Sequence, residues 1–404
     1  MKTPRWSADS LTWVPLVLIA LFGISGIPWS TWITLTVAGL GMGMMVFVMA
    51  TGLTLSFGLM DVLNLGHGAL IAIGGFIGAT VVTGLELGIW PALPWLHGHP
   101  GAAWQAGAGA AAIGAALGAL AGSALCRVRR DLRSGSRAAW CIAGLALGGA
   151  LAGALFGRQL GAAHAASASA TRLADLGIVV SGFVAAFVVL ALLGVVFEYL
   201  FIRPVYRDPL RQILVTVGAS YLIAELLKAI WGSGDVSMGM PASLVGGLQL
   251  GGVVIEKYRL LAAGFGLLVY LALQALVHRT RVGLLIRAGV ENVEMVQALG
   301  YRARVLFLAV FVGGAALAGL GGAMWGLYQG QVGAGMGAQM LVLIIIVVIM
   351  GGLGSISGCL YASVLVGLLS NYTTYIVPQV SLFSSIGLMV AVLLLWPRGL
   401  VPVR

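Results

Sequence analysis

The chain has 404 residues, of which 60% are hydrophobic and only 8% are charged, and its mean hydropathy is +1.05. A soluble domain of this length could not place so many apolar side chains on its surface, so the composition predicts a polytopic membrane protein. The formal net charge is +10. In a soluble protein this charge would suggest nucleic acid, but in a membrane protein it is interpreted by position along the chain, and no nucleic-acid partner is expected.

Twelve apolar runs are candidate membrane helices, because roughly 20 residues at about 1.5 Å each match a hydrocarbon core of ~30 Å. They lie at residues 11–27, 35–60, 65–89, 103–126, 138–157, 178–202, 212–231, 259–278, 305–328, 338–351, 359–377 and 381–396. The first run lacks a convincing small-residue cleavage site after it, so we interpret it as a retained helix or anchor. The predicted fold class is all-α, a transmembrane bundle of about 8 to 10 core helices plus one inserted hairpin.

Residues 95–177 differ in composition from the rest of the chain. They are rich in Ala and Gly, as in GAGAAAIGAALGALAGSALC, and have few branched or aromatic side chains. Glycines spaced four apart in this stretch would let two helices pack closely. We predict a helical hairpin without transport chemistry, inserted between N-terminal helices at residues 1–94 and a core of helices at residues 178–404.

Lys and Arg are divided unevenly between the two sides of the predicted bundle. With the N-terminus inside, one side holds 17 of them, including the arginines of residues 127–137 and of residues 278–304. The opposite side holds only Arg158, Arg172, Lys257 and Arg259. The positive-inside rule therefore predicts that both termini and the loop at residues 278–304 are cytoplasmic.

This loop is polar and lies between two long apolar runs. Glu291 and Glu294 supply negative charge for a first helical turn, and Gly300 is a typical stop signal. The apolar face of the predicted helix would consist of Val293, Val296 and Leu299. Such a helix suits a transporter whose moving part is driven by another protein, and a membrane-surface helix is the alternative.

Glycines also mark two of the later apolar runs. Residues 313–326 contain six glycines, which would allow close helix crossings. The sequence GGLGSISG at residues 351–358 interrupts the next run. Such a break is tolerated at membrane depth only where it faces protein or a watery cavity, so this segment is a candidate for the transport pathway.

Motifs for enzymatic chemistry are absent from the sequence. None of the three lysines follows a glycine, so the chain has no P-loop and we do not expect it to hydrolyse ATP. HExxH, paired CxxC and GxSxG motifs are missing as well, and no metal site is expected. The three cysteines lie in or at the ends of apolar runs and are interpreted as core residues.

Few ionisable residues lie inside the apolar runs. Glu225 and Lys228 are three apart on one predicted helix and can pair, while Glu198 is close to Arg203 near a predicted cytoplasmic end. An ion-coupled carrier usually needs a buried acid near mid-membrane. This pattern therefore disfavours ion coupling.

Four blocks of the sequence, in order along the chain, resemble one family of transport proteins. The first is GLTLSFGLMDVLNLGHGALIAIGGFIGA at residues 52–79, with an Asn-x-x-His-Gly step that begins at Asn64. The others are RQILVTVGASYLIAELLKAIWGS at residues 211–233, the loop at residues 280–300 and WPRGL at residues 396–400. Together they are similar to the permeases of branched-chain amino acid ABC importers, in particular the first of the two paralogous permeases. The segment at residues 95–177 departs from the usual shorter form.

The resemblance implies a multi-pass permease subunit of a bacterial inner membrane, which moves branched-chain or related small amino acids into the cytoplasm. The implied partners are a second paralogous permease, two cytoplasmic ATP-binding subunits, a periplasmic substrate-binding protein and the lipid bilayer. The chain itself would hold no cofactor, since the partner subunits bind ATP.

The resemblance also implies two sets of functional residues. The set that would couple the permease to the ATPase is Arg287, Glu291, Val293, Glu294, Val296, Leu299 and Gly300. The candidates for the substrate pathway are Asn64, His67, Gly351, Gly352 and Ser355. A lone histidine at a helix start is more typical of a cap or packing residue than of a ligand.

Three alternatives remain open at this stage. Within the same family, the substrate could be urea or a short amide. In other classes, the chain could be an ion-coupled secondary carrier, which would follow an ion gradient without ATP, or a membrane scaffold, which would have no ATPase partner.

Overall fold

The structure is a computed structural model that describes residues 28–60, 64–86, 170–205, 208–250, 253–280, 283–286, 288, 293–298, 303–397 and 399–401. Ten α-helices and two small strand pairs account for most of these residues, so the predicted all-α bundle is confirmed. The predicted first run, most of the Ala- and Gly-rich segment and its arginine-rich turn lie outside the described residues.

The helices are numbered in chain order. They are α1 Trp29–Met60, α2 His67–Glu86, α3 Ala170–Phe197, α4 Pro209–Trp231, α5 Lys257–Arg279, α6 Val293–Ala298, α7 Ala303–Gln329, α8 Met336–Gly351, α9 Ile356–Ile376 and α10 Ser381–Leu395. A π-helical turn at Glu198–Ile202 and a 3₁₀ turn at Arg203–Val205 extend α3, and a 3₁₀ turn at Pro378–Val380 precedes α10. The strands are β1 Val236–Ser237, β2 Gly247–Leu250, β3 Val253–Glu256 and β4 Gln331–Val332.

Seven of the described helices are long and apolar enough to cross a membrane, and α8 and α10 are shorter apolar helices. The nine predicted runs that fall within the described residues each coincide with a helix, although α1 begins six residues and α3 eight residues before the predicted start. With 32 residues, α1 is about 48 Å long at ~1.5 Å per residue, well beyond a ~30 Å hydrocarbon core.

The chain forms two compact units, which are described separately. The first comprises Met1–Asp61, Val245–Ala303 and Gln339–Arg404, and the second comprises Val62–Leu244 and Arg304–Ala338. The boundary falls inside α8, whose first residues belong to the second unit.

In the first unit, α1 packs against α9 and α5 through glycines. Gly39 and Gly43 are one turn apart, and the backbone of Gly367 on α9 lies against both. A Cβ at Gly43 would be 2.8 Å from the carbonyl oxygen of Ser363, and one at Gly41 would be 2.9 Å from the carbonyl oxygen of Arg259. Small residues at this spacing let helix backbones approach closely.

Polar side chains add specific bonds within the same unit. The Thr36 and Tyr372 hydroxyls are 2.7 Å apart between α1 and α9. The Asn371 amide donates to the carbonyl oxygen of Gly367 at 2.9 Å. Strands β2 and β3 pair antiparallel directly before α5, and the Thr34 hydroxyl of α1 donates to the carbonyl oxygen of Val254.

In the second unit, α2 crosses α7 at a glycine-rich contact. Gly74 lies on Gly319, and Gly322 lies on the carbonyl oxygen of Ile71, so close that a Cβ would collide at either position. Gly319 also contacts Leu190 of α3. The glycine-rich run of α7 was predicted to allow close crossings, and these contacts confirm it.

Candidate functional site

The step from residue 64 to residue 68 forms the start of α2, and it is buried. The Oδ1 atom of Asn64 accepts a hydrogen bond from the backbone N–H of Gly66 at 2.9 Å, and the carbonyl oxygen of Asn64 accepts from the N–H of His67 at 3.2 Å. Asn64 is 1% exposed and His67 is 2% exposed. The structure therefore brings these two predicted pathway residues into one turn, with Asn64 organising the helix start and His67 as its first helical residue.

An aromatic side chain lies directly against this turn. A Cβ at Gly66 would be 2.5 Å from the ring of Phe197, so a larger residue there would require this ring to move. Phe197 is itself packed against Phe201 and Phe311, with ring centroids 4.9 and 6.0 Å away. It is also the last α-helical residue before the π-helical turn at Glu198–Ile202, a type of irregularity frequent at functional sites.

The start of α8 meets the start of α2 within the second unit. Gly337, in the first turn of α8, lies against the carbonyl oxygen of Gly68, so close that a Cβ would collide. Neither helix has an acidic residue in its first turn. Two helix N-termini, each with positive partial charge, thus lie close together in a buried place without a protein carboxylate in those turns.

The other predicted pathway residues form the turn between α8 and α9 in the first unit. Gly351 ends α8, Gly352 and Gly354 have φ of 100° and 82°, and Ser355 caps α9 by accepting the N–H of Gly358 at 3.1 Å. Positive φ explains the glycines, because other residues rarely adopt this conformation. The predicted helix interruption is confirmed, and the Ser355 hydroxyl serves as an N-cap.

The C-terminal segment is hydrogen-bonded to this same turn. Leu400 and Val401 donate their N–H groups to the carbonyl oxygens of Met350 and Gly351 at 2.9 and 3.2 Å. Gly399 has φ of 83°, and a Cβ there would be 2.7 Å from Gly352. The WPRGL block therefore satisfies carbonyl groups at the end of α8, which are otherwise unpaired at a helix C-terminus. Sequence reasoning did not connect these two segments.

The loop at residues 278–304 contains the expected short helix. It is α6, Val293–Ala298, and Met295 on it is 66% exposed. Of the predicted coupling residues, Arg287, Glu291, Leu299 and Gly300 lie outside the described residues. Val293, Glu294 and Val296 lie on α6, but only their backbone is described, so the predicted apolar face stays a prediction.

The ionisable residues of the described helices differ in their burial and in whether they form ion pairs. Lys228 and Glu225 form the predicted ion pair at 2.7 Å, and both side chains are exposed. Glu198 is 8% exposed and forms no salt bridge within the described part of the chain. Arg203 instead lies over the ring of Tyr199, 5.2 Å from its centroid.

The two sets of predicted pathway residues belong to different units. Asn64 and His67 lie at a helix start in the second, and the turn at residues 351–355 lies in the first. Sequence reasoning included Gly68 only as the last residue of the Asn-x-x-His-Gly step and did not single out Gly337, although their contact joins the starts of α2 and α8. A small residue at the start of an apolar run is too common to identify such a partner.

Comparison with known proteins gives a consistent result. A family model described as branched-chain amino acid transport system / permease component matches residues 141–394. The high-affinity branched-chain amino acid transport system permease protein BraD of Pseudomonas aeruginosa is 28% identical over 226 residues, covering 54% of this chain and 73% of BraD. The corresponding LivH protein of Escherichia coli K12 is 26% identical over 231 residues, covering 55% of this chain and 74% of LivH. No solved structure matches the chain.

The long apolar helices, their glycine crossings and the broken helices define a polytopic helical membrane protein of the transport class. The family model covers more than half of the chain, which therefore belongs to the permease components of branched-chain amino acid transport systems and is LivH-like. The matched range begins inside residues 95–177, and the predicted domain boundaries stay a prediction.

Proposed function

We propose that this chain is the transmembrane subunit of an ABC importer that carries branched-chain amino acids into the cytoplasm. The observation that carries the proposal is the alignment with relatives named high-affinity branched-chain amino acid transport permeases over nearly three quarters of their own length. The seven long apolar helices of the described residues support a role within the membrane.

The proposed partners supply what the chain lacks. Two ATP-binding subunits hydrolyse ATP, since none of the three lysines in this sequence follows a glycine as a P-loop requires. A second, paralogous permease completes the pathway, and a periplasmic binding protein delivers the substrate. The complex lies in a bacterial inner membrane, with both termini of this chain in the cytoplasm because Lys and Arg are concentrated on that side.

We place the contact with the ATPase at α6. Met295 on this short helix is 66% exposed, which supports the proposal. In this proposal Val293, Val296 and Leu299 enter a groove of the ATPase, while Glu291 and Glu294 favour the helix start. Gly300 ends the helix, and Arg287 lies beside the contact.

Uptake into proteoliposomes tests the proposal. The chain is co-purified with the permease, ATPase and binding protein encoded beside it, and reconstituted with ATP inside and the binding protein with radiolabelled leucine outside. Leucine should accumulate only with hydrolysable ATP and only with the binding protein present. A non-hydrolysable ATP analogue is the matched control.

The same assay separates the alternatives. Uptake that persists without ATP and collapses when ionophores remove ion gradients would show a secondary carrier. ATP-dependent uptake of urea or acetamide, without uptake of leucine, would show that the chain belongs to an importer but that the proposed substrate is wrong. Co-purification without any ATPase subunit would contradict the importer itself.

A further inference from the structure

The start of α2 contains a buried hydrogen-bond donor that has no acceptor among the residues that the structure describes. Asn64 is 1% exposed, and the atom concerned is its Nδ2. The orientation of the amide follows from its other atom, because Oδ1 accepts the N–H of Gly66 at 2.9 Å and a reversed amide would set two donors against each other. Nδ2 therefore lies at the helix start as a donor without an acceptor.

Backbone donors of the first turn are unused as well. The N–H of His67 bonds to the carbonyl oxygen of Asn64, and the N–H of Leu70 bonds to that of Gly66. Within the described part of the chain, the N–H groups of Gly68 and Ala69 have no acceptor, and both residues are buried. Buried donors are nearly always paired in folded proteins, so these three donors are available to an acceptor that is not among the described residues.

The electrostatic setting favours an anion. The N-terminus of α2 carries positive partial charge. The N-terminus of α8, which carries positive partial charge as well, lies next to it where Gly337 contacts Gly68. Helix starts with free N–H groups bind carboxylates and phosphates, and discontinuous helices use them in this way in membrane transporters. Neither first turn contains an acidic residue, although the Asp235 carboxylate lies against Gly333, three residues before α8 begins.

The neighbouring surface is apolar. The ring of Phe197 lies against Gly66, and Phe311 and Phe201 pack on that ring. A ligand bound here would place a charged group at the helix start and an apolar group beside aromatic rings. A free amino acid with an aliphatic side chain has both groups.

We propose that Nδ2 of Asn64, together with the N–H groups of Gly68 and Ala69, binds the carboxylate of an amino acid passing through the permease. This proposal rests on the function proposed above and names the group that the site recognises. The site supplies three donors to an acceptor with two oxygens, which matches the hydrogen-bonding capacity of a carboxylate.

The test substitutes Asn64→Asp in the complete importer. Aspartate keeps the oxygen that accepts the Gly66 N–H and has nearly the same shape, but it replaces the Nδ2 donor by a negatively charged oxygen. Equilibrium binding of radiolabelled leucine to the assembled permease and ATPase complex, without binding protein, should weaken by roughly 10-fold or more, as expected for a lost hydrogen bond to a charged group. Leucinamide, which lacks the carboxylate, should compete poorly with leucine on the wild-type complex.

Asn371→Asp is the matched control. Asn371 is also an amide inside an apolar helix, but its Nδ2 donates to the carbonyl oxygen of Gly367 within the protein. Complexes with this variant that assemble should bind leucine as the wild type does. Thermal unfolding of each variant separates a folding defect from a binding defect.

The outcomes distinguish a failure of the carboxylate site from a failure of the proposed import of branched-chain amino acids. If the wild type shows ATP-driven leucine uptake while Asn64→Asp binds leucine with unchanged affinity, Asn64 is only the organiser of a turn and the carboxylate site is wrong. Equal competition by leucinamide and leucine would also overturn it. If the wild-type complex neither transports nor binds leucine, the proposed substrate fails and this site fails with it.

Discussion

Glycine residues set how closely helices approach in both units. At the crossing of α2 and α7, the space that a side chain would need is occupied by backbone atoms, as Gly322 shows against Ile71. Lipid tails are as apolar as the helix surfaces, so the hydrophobic effect does not drive helices together within a membrane. Close packing of this kind is a main source of helix association there. The glycines of α7 thus differ in importance according to what lies opposite each of them.

We predict that Gly322→Ala destabilises the protein. A Cβ there would collide with the carbonyl oxygen of Ile71, and overpacking a tight contact costs about 1–3 kcal/mol. Thermal unfolding of the purified protein in detergent should show a lower apparent melting temperature. Gly313→Ala on the same helix is the matched control, since a Cβ there would have no described atom within 4 Å. Equal melting temperatures for both variants would contradict this account of the crossing.

At the scale of the element, helix ends are satisfied either by capping side chains or by backbone groups from elsewhere in the chain. Asp208 caps α4 through the N–H of Arg211, and Ser355 caps α9 through the N–H of Gly358. The end of α8 is satisfied by the N–H groups of Leu400 and Val401. The start of α2 differs from these, since Asn64 uses its oxygen but not its Nδ2 atom.

For α6 we predict that Leu299→Asp abolishes transport and weakens co-purification of the ATPase. Full burial of an apolar side chain at an interface contributes about 1.5–3 kcal/mol, and an unpaired carboxylate in its place is unfavourable. Gly300→Val should act in the same direction by opposing a left-handed helix stop. Membrane insertion and contact with the binding protein should be retained.

The matched control is Ala298→Asp, which adds the same charge on the opposite face of the short helix. Ala298 is exposed in the structure. Normal transport by Leu299→Asp with the ATPase still attached would show that α6 is a surface element without a coupling role. If the ATPase subunit fails to co-purify with both variants, the contact involves more than one face of α6.

At the scale of the whole molecule, the distribution of Lys and Arg predicts its orientation. We expect Arg133 and Arg287 in the cytoplasm and Pro100 and Gly239 in the periplasm. Single cysteines at these positions, in a chain whose three native cysteines are replaced, should react with a membrane-impermeant reagent in intact cells only at positions 100 and 239. Labelling at position 287 would show that the chain has the opposite orientation in the membrane.

The Ala- and Gly-rich segment is predicted to be dispensable for the transport step. Its predicted helices carry almost no polar groups that could line a pathway. Replacement of residues 94–173 by a short linker should leave substrate-stimulated ATPase activity in the reconstituted complex. A complex that assembles normally but has lost this activity would show that the segment takes part in the mechanism.

Much of the architecture could be predicted from sequence because the signals are local. Apolar runs of sufficient length predict membrane helices, and the nine runs within the described residues coincide with helices. The interruption at residues 351–358 was predictable, since Gly352 and Gly354 adopt positive φ that few other residues tolerate. The short helix near residue 295 was predictable from its start and stop signals.

The tertiary structure decided which distant residues meet and which polar atoms stay unpaired. Gly399 lies on Gly352 and Gly337 on Gly68, contacts that no local pattern encodes because glycines are frequent throughout the chain. Composition and spacing indicated Asn64 as a candidate, but they could not show that its oxygen is bonded while its Nδ2 is buried without an acceptor. That property depends on how the start of α2 is enclosed by residues far away in sequence, and only the assembled fold specifies it.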